Sequence, residues 1–504
     1  MDTIIYFLKK KGLKEPLIEP VGLKSHMLIR VSLDVEEEDW FGISFRMAEP
    51  GYQSRSASEA AEMQKQEKQD NRSSMWHPLK ALRQMYRVKK EAGQEKRRRR
   101  AEALEQEKLL AEREERIGRT EEAIGRLQSG NYSAYSFMLD KIRNLEITPA
   151  QLALEPCSAG CVIADPKTGD TLACVTYPGY DNNRLTNTMD SAYFAALNKD
   201  QSRPLYSRAT QERTAPGSTM KPAIAVAALE EGVITPSEIM RATGVYTEAY
   251  GNPTCWIYNQ YHGSHGNINV VDALRVSCNY YFYEIGFRLG GGRSTGYSSD
   301  RALELIKKYA EEFGLGEKSG LEIPESGPQL SDTDGVRSAI GQGTNLFSVS
   351  QLARYTNAVA NQGTVYDLTL LDKITDSEGN TIEEHSASVY NEVDIADSSW
   401  DVIHEGMRQV AENTDAFEKL NLTIAGKTGT AQQSLRHPNH ALFVGYAPYE
   451  DPEISLAIRI TNGYTSGNAA AMAADIFRYY FKLVDEEELL TGEASQASTA
   501  VILD

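Results

Sequence analysis

Ala215-Pro216-Gly217-Ser218-Thr219-Met220-Lys221-Pro222-Ala223-Ile224-Ala225-Val226-Ala227-Ala228-Leu229 is a segment whose extended approach breaks at Pro216-Gly217 and continues as a helix. The Ala/Val/Leu run predicts a helix over 218–231, and apolar side chains at Ala225, Val226, Ala228 and Leu229 cover most of its sides, so it should be buried. Ser218 and Lys221 stand three apart and share one helix face. A serine hydroxyl is a poor nucleophile at neutral pH and needs a base within hydrogen-bond reach. Burial disfavours an ammonium and lowers a lysine pKa, which would make Lys221 that base. A nucleophile at a helix N-terminus also gains from the dipole and from free backbone N–H groups. An isolated S-x-x-K is nevertheless a common accident, readable as a buried helix with a snorkelling lysine.

Two further short segments follow. Ser277-Cys278-Asn279 offers a hydroxyl that can relay a proton and an amide that can bind a substrate carbonyl. By itself it reads more readily as a cap, with Ser277 or Asn279 starting a helix Tyr280–Leu289. Lys427-Thr428-Gly429-Thr430 follows the apolar run Leu422-Thr423-Ile424-Ala425. Lys427 and Thr428 can hold a carboxylate, and Gly429 lets a backbone approach closely. An extended peptide could add to such a strand, with the N–H groups of Ser218 and Thr430 as oxyanion donors. Gly426-Lys427-Thr428 also resembles the end of a phosphate-binding loop. That motif needs glycine at position 421, which is Asn421, so the phosphate reading fails.

Around these segments lie two hairpins. Gly160–Ala164 and Thr171–Tyr177 flank the turn residues Asp165-Pro166-Lys167-Thr168-Gly169-Asp170, and Leu442–Tyr446 and Ile454–Ile458 flank a Pro448–Pro452 turn. Leu422–Ala425 makes a fifth strand. Helices are expected at 218–231, 280–289, 301–313, 348–361 and 468–482. Strands at both ends and helices between them predict an α+β fold: a five-stranded, mainly antiparallel sheet flanked by helices. Three regions follow: a charged, partly helical or disordered stretch at 1–128, a packed domain at 129–483 and a polar tail at 484–504. Residues 51–75 read as linker. Residues 78–128 carry Lys89-Lys90, Arg97–Arg100 and then glutamates, the pattern of a solvated helix with i,i+4 pairs.

The 504 residues carry a net charge of −18, which argues against a nucleic-acid binder. Five cysteines, none in a C-x-x-C pair, argue against a disulfide framework. Cys255, His262, His265 and Cys278 lie near one another in sequence, and thiolate plus imidazole suits zinc. Their spacing fits no closed zinc pattern, so they read as loop residues and no metal or cofactor is assigned. No stretch reaches the ~18 apolar residues of a membrane span. The first apolar residues run into Lys9-Lys10-Lys11, the reverse of a secretory leader, so the chain read literally is soluble and unexported.

Taken in order, Ser218-x-x-Lys221, Ser277-x-Asn279 and Lys427-Thr428-Gly429 resemble the transpeptidase domain of penicillin-binding proteins, nearest the class B elongation type, over roughly residues 130–482. Ala164–Ala173, Tyr177–Asn183, Ile340-Gly341-Gln342-Gly343 and Phe443–Pro448 are also similar. The resemblance implies Ser218 as acyl-enzyme nucleophile, Lys221 as its base, and Ser277 and Asn279 as relay and substrate contact. It implies Lys427, Thr428, Gly429 and Thr430 as the strand that holds the substrate. The substrate implied is a peptidoglycan stem peptide ending in D-Ala-D-Ala, with β-lactams acylating the same serine and other cell-wall synthesis proteins as partners, on the extracytoplasmic face of the cell membrane. Family members carry an anchor and a pedestal domain, which residues 1–128 do not resemble, and nothing resembles a glycosyltransferase. A serine D,D-carboxypeptidase, a β-lactamase and a non-catalytic penicillin-binding sensor or scaffold remain open on the same scaffold.

Overall fold

The computed structural model describes residues 158–489 apart from 435, most of 118–155, and the backbone of three strands at Leu17–Leu23, His26–Ser32 and Phe41–Arg46. Those three strands form one sheet in sequence order, a feature that reading 1–128 as irregular and charged did not anticipate. The linker at 51–75, the charged helix at 78–128 except its last residues, and the tail beyond 489 lie outside the described residues. Helix Ala134–Arg143 belongs to a separate compact unit; Ser133 caps it by accepting from the Ser136 N–H, and Lys141 and Arg143 stand at its C-terminal end, where cations are favoured.

The main unit is built on five strands: β1 (Ser158–Ala164), β2 (Thr171–Tyr177), β3 (Ala425–Ala431), β4 (His440–Ala447) and β5 (Ile454–Thr461). They pair in the order β3-β4-β5-β1-β2, every pair antiparallel. The hairpins join β1 to β2 and β4 to β5, as their turn residues require. β3 differs from the expected strand. It begins at Ala425, where that strand was to end, and runs through Lys427-Thr428-Gly429-Thr430 to Ala431. The third motif is therefore itself part of the sheet edge, as a strand ending in Lys-Thr-Gly-Thr implies.

Side chains of a strand alternate between faces, and here both faces are covered, so β4 reads as an unbroken apolar run. Leu442, Val444 and Tyr446 enter one core, and Ala441, Phe443 and Ala447 the other. The second core is closed by α7 (Ser466–Tyr480), whose Ala469, Ala470, Ala473 and Ala474 are small enough to bring the helix close to Phe443, Leu456 and Ile458. Across the first face lie α1 (Lys221–Glu230), α2 (Val270–Arg275), α3 (Asn279–Leu289), α4 (Ser299–Glu312), α5 (Val349–Ala360) and α6 (Asp397–Glu412). Ser348 and Gln351 form a capping box that starts α5. Helix α6 was not expected from the sequence.

Arg459 of β5 is wholly buried, and its guanidinium reaches the segment that leads to Ser218. It donates to Arg208 O (2.8 Å), Glu212 O (3.0 Å), Glu212 Oε2 (2.7 Å) and Thr214 Oγ1 (3.4 Å). Burial opposes the charge on Glu212, but Arg459 and Arg208 outweigh it and hold the carboxyl below its usual 4.5. Replacing Arg459 by Met leaves a buried carboxylate and two carbonyls short of a donor, so the variant should lose roughly 3–5 kcal/mol of unfolding free energy in denaturant titrations. Because the Glu212 pKa is depressed, the stability this ion cluster lends is complete above pH 4.5 and is lost as pH falls through the lowered value. Arg459→Met should therefore flatten the acid limb of a melting-temperature–pH curve.

Candidate active site

The segment that carries Ser218 is a tight turn set by close backbone contacts. Gly217 to Met220 form one 3-10 turn, and the α-helix proper starts at Lys221, so Ser218 sits just ahead of α1 and not inside it. Pro222 is tolerated because it falls in the first helical turn. Gly217 is left-handed (φ 53°) and donates its N–H to Gly341 O at 3.1 Å. A Cβ on Gly341 would lie 2.0 Å from Gly217 O, so two chain segments meet where no side chain fits. Thr219 Oγ1 donates to Pro216 O at 2.7 Å and locks the turn. Ser218 is almost buried, 7% exposed.

The β3 edge presses on the same turn. A Cβ on Gly429 would stand 2.7 Å from Thr219 Cγ2 and 3.3 Å from Pro216 O, and one on Gly217 would stand 3.0 Å from Thr430 O. Thr428 and Thr430 are half-buried and share one side of the strand, while Lys427 is fully buried and its Nζ donates to Thr428 O at 3.0 Å. β3 ends the sheet order, so its outer edge is the side on which an extended peptide can pair.

The Lys221 amine is wholly buried. Its Nζ lies 2.8 Å from Ser277 O, 3.1 Å from Ser277 Oγ and 2.7 Å from Asn279 Oδ1, and 5.3 Å from the centre of the Phe282 ring. These partners come from the joint between α2 and α3. Ser277 N donates to Leu274 O (3.2 Å) and Cys278 N to Ala273 O (2.9 Å), the paired closure of a Schellman end. The left-handed position of that motif usually falls to glycine; here it is Ser277, φ 51°, at a cost of order 1 kcal/mol or more. The cap of α3 is Cys278, whose Sγ accepts from Tyr281 N, and not Ser277 or Asn279 as the capping alternative had it. Both of those residues are turned onto Lys221.

Behind this joint the structure gathers three of the four residues weighed for zinc. Cys255 Sγ lies 4.0 Å from Cys278 Sγ and 3.6 Å from His265 Nδ1, and it accepts the backbone N–H of Asn279 at 3.2 Å. The ligand atoms of Cys255, His265 and Cys278 all fall within 4.8 Å of one another. His262 is not of the group; it is exposed and ends helix Trp256–Tyr261 with φ 52°. The Cys278 thiol hydrogen-bonded to it, with His265 beside it, holds the Cys255 thiol well below its usual range, while burial pushes Cys278 up. Two sulfurs and an imidazole are the donors a soft divalent ion such as zinc takes, so these three residues could hold one. Trp256 Nε1 ties the region to the α2–α3 joint through Val276 O at 3.1 Å. The cysteine cap, the Trp256 tie and the Ser277 backbone had no signal in the sequence beyond proximity.

The arrangement brings a buried amine, a second hydroxyl and a side-chain amide together and sets a strand edge against the turn that carries a serine. Those are the groups that acyl transfer through a serine requires.

Residues 159–481 match the family model described as the penicillin binding protein transpeptidase domain. The peptidoglycan D,D-transpeptidase MrdA of Haemophilus influenzae is 30% identical over 356 residues, 63% of this chain and 52% of that protein. The solved Pseudomonas aeruginosa PBP2, in complex with WCK 5153, is similar at 28% identity and TM-score 0.56, over 71% of this chain and 77% of that one. A chain of a peptidoglycan synthase complex that coordinates polymerization and crosslinking is similar at 26% identity and TM-score 0.56, over 65% of this chain and 56% of that one. This chain spans about half the length of the curated relatives it matches. Among the described residues no helix is long and apolar enough to cross a membrane.

Gly341→Ala tests the close approach that sets the turn. Its methyl group would meet Gly217 O and its φ of 73° disfavours any side chain, so the Ser218 turn must shift. A displacement near 1 Å costs on the order of 100-fold in rate. The rate constant for acylation of the chain by a fluorescent penicillin should fall by that factor, with the far-ultraviolet circular dichroism spectrum unchanged.

Proposed function

The chain belongs to the penicillin-binding protein transpeptidase family, and from that premise we propose that it is a serine-type peptidoglycan D,D-transpeptidase with Ser218 as nucleophile. The observation that carries the reading is the Lys221 amine held 2.7–3.1 Å from Ser277 and Asn279 while Gly429 of the third motif abuts the Ser218 turn. Three segments far apart in sequence thus share one cleft.

In this reading the stem peptide lies antiparallel to β3, with its terminal carboxylate toward Lys427 and Thr428. Neutral Lys221 takes the Ser218 proton, and Oγ attacks the carbonyl carbon of the penultimate D-alanine. The N–H groups of Ser218 and Thr430 hold the oxyanion. When the tetrahedral adduct collapses, the leaving D-alanine amine receives a proton from Lys221 through Ser277 Oγ, leaving an ester on Ser218. An amine of a second stem peptide then attacks the ester, its proton returns by the same route, and Ser218 leaves with its hydroxyl restored. Asn279 orients the donor by its side-chain amide. A β-lactam acylates the same serine. The site works on the extracytoplasmic face of the cell membrane, with other cell-wall synthesis proteins as partners. Similarity to a chain of a peptidoglycan synthase complex supports that last point.

A fluorescent penicillin should label the wild-type chain, with the adduct mapped to Ser218 by mass spectrometry, and should not label Ser218→Ala. Lys221→Arg keeps a cation but supplies no base, so its acylation rate should drop by about 10²- to 10⁴-fold. An adduct on another residue would sink the assignment. Deacylation over hours fits a transpeptidase, whereas turnover within minutes would make the protein a β-lactamase.

A further inference from the structure

The cluster behind the second motif contains two thiols that the acyl-transfer chemistry does not use. Cys255 and Cys278 are wholly buried, their sulfurs 4.0 Å apart. Cys278 lies between the two residues that hold Lys221, and Cys255 Sγ accepts the N–H of Asn279. His265, whose Nδ1 lies 3.6 Å from Cys255 Sγ, is only half-buried. A small oxidant needs only a local opening there to reach Cys255.

We propose that Cys255 and Cys278 are a modification site, oxidised by a hydroperoxide to a disulfide that takes the second motif off Lys221 and stops acylation. This rests on the reading of Ser277 and Asn279 given above. Cys255 sulfur attacks one peroxide oxygen, the O–O bond breaks, and water leaves, giving a sulfenic acid. The Cys278 sulfur then attacks the Cys255 sulfur, the S–O bond breaks, and a second water leaves. The two thiols lose two electrons and two protons, and hydrogen peroxide becomes two waters.

Geometry makes the step consequential. A disulfide needs sulfurs about 2.05 Å apart, so the pair must close by roughly 2 Å. The closure pulls on Cys278, the cap of α3, and removes the thiol acceptor from Asn279 N–H. Ser277 next to it occupies a left-handed backbone (φ 51°), a conformation that persists only while its surroundings hold it. Its relaxation carries Ser277 O and Oγ away from the amine. A cation held by both sulfurs would shield them, so oxidation acts on the metal-free cluster.

The test uses the full chain, reduced, stripped with a chelator, then exposed to hydrogen peroxide. Non-reducing peptide mapping should find a Cys255–Cys278 linkage lacking two hydrogens. The rate of fluorescent-penicillin acylation should fall on the order of 100-fold and return with dithiothreitol. In Cys255→Ser and Cys278→Ser, whatever their starting rates, peroxide should leave the rate unchanged. Thiols that stay reduced in the stripped wild type, or a disulfide that forms with no change in rate, would overturn the proposal. If one variant does not fold, the other and the wild-type map decide. Reduced wild type that never reacts with the penicillin would instead count against the transpeptidase reading, and the mapping would still report on the disulfide.

Discussion

The Lys221 amine is carried below the surface, and three oxygens within hydrogen-bond reach of it come from a single joint between two helices. Two of them, Ser277 O and Asn279 Oδ1, can only accept, and the third, Ser277 Oγ, can donate or accept. An ammonium satisfies all three with its three hydrogens. After losing a proton, the neutral amine still has a hydrogen for each carbonyl-type oxygen and turns its lone pair to a hydroxyl. Neither state leaves any of these three oxygens without a partner. A proton can therefore pass to and from the amine with little rearrangement, which suits the base role proposed for Lys221.

That joint is made from strained parts. A glycine would fit the left-handed position at 277, yet a glycine has no hydroxyl to offer, and the chain accepts the backbone cost of serine there. Elsewhere in the cleft the trade runs the other way. Gly217, Gly341 and Gly429 have no side chain because each stands where a Cβ would collide with a neighbouring segment. The second motif thus keeps at a glycine position a hydroxyl that reaches Lys221, and around the first and third, side chains are absent where segments meet.

The sheet was legible because both hairpins carry turn residues between apolar runs, a local signal. The motifs were legible as residue types at short spacing. Helix α6 had a signal in the sequence, since Trp400, Ile403, Met407, Val410 and Ala411 recur at helical spacing, but its first turn, Asp397-Ser398-Ser399, is made of residues that favour turns. The reach of β3 was misjudged because Lys-Thr-Gly-Thr has weak strand propensity, and its register is set by pairing with β4, from Ala425 opposite Tyr446 to Ala431 opposite His440. Cys255, His265 and Cys278 were visible as zinc-type residues near one another, but with His262 they read as loop residues because their spacing follows no closed pattern. Hydrogen bonds from Trp256 Nε1 to Val276 O and from Asn279 N–H to Cys255 Sγ tie the Cys255–Trp256 stretch to the α2–α3 joint.

Helix α6 is also what makes one cleft out of separate pieces. It packs along α2 on one side and along β3 on the other. Its approach to α2 is so close that a Cβ on Gly406 would come within 2.6 Å of Leu274 Cδ1. Leu274 is one turn from Ser277, and its carbonyl closes the Schellman end that presents Ser277. The second motif is therefore set against the third through a rigid helix, while the first is set against the third by direct backbone contact at Gly429. Two distances, α2 to α6 and α6 to β3, fix where the amine's partners stand relative to the substrate edge. A cleft assembled in this way tolerates varied loops around it and little change in the small residues at its crossings. The informative positions of this chain thus lie as much in its glycines and its α6 contacts as in the side chains that do the chemistry.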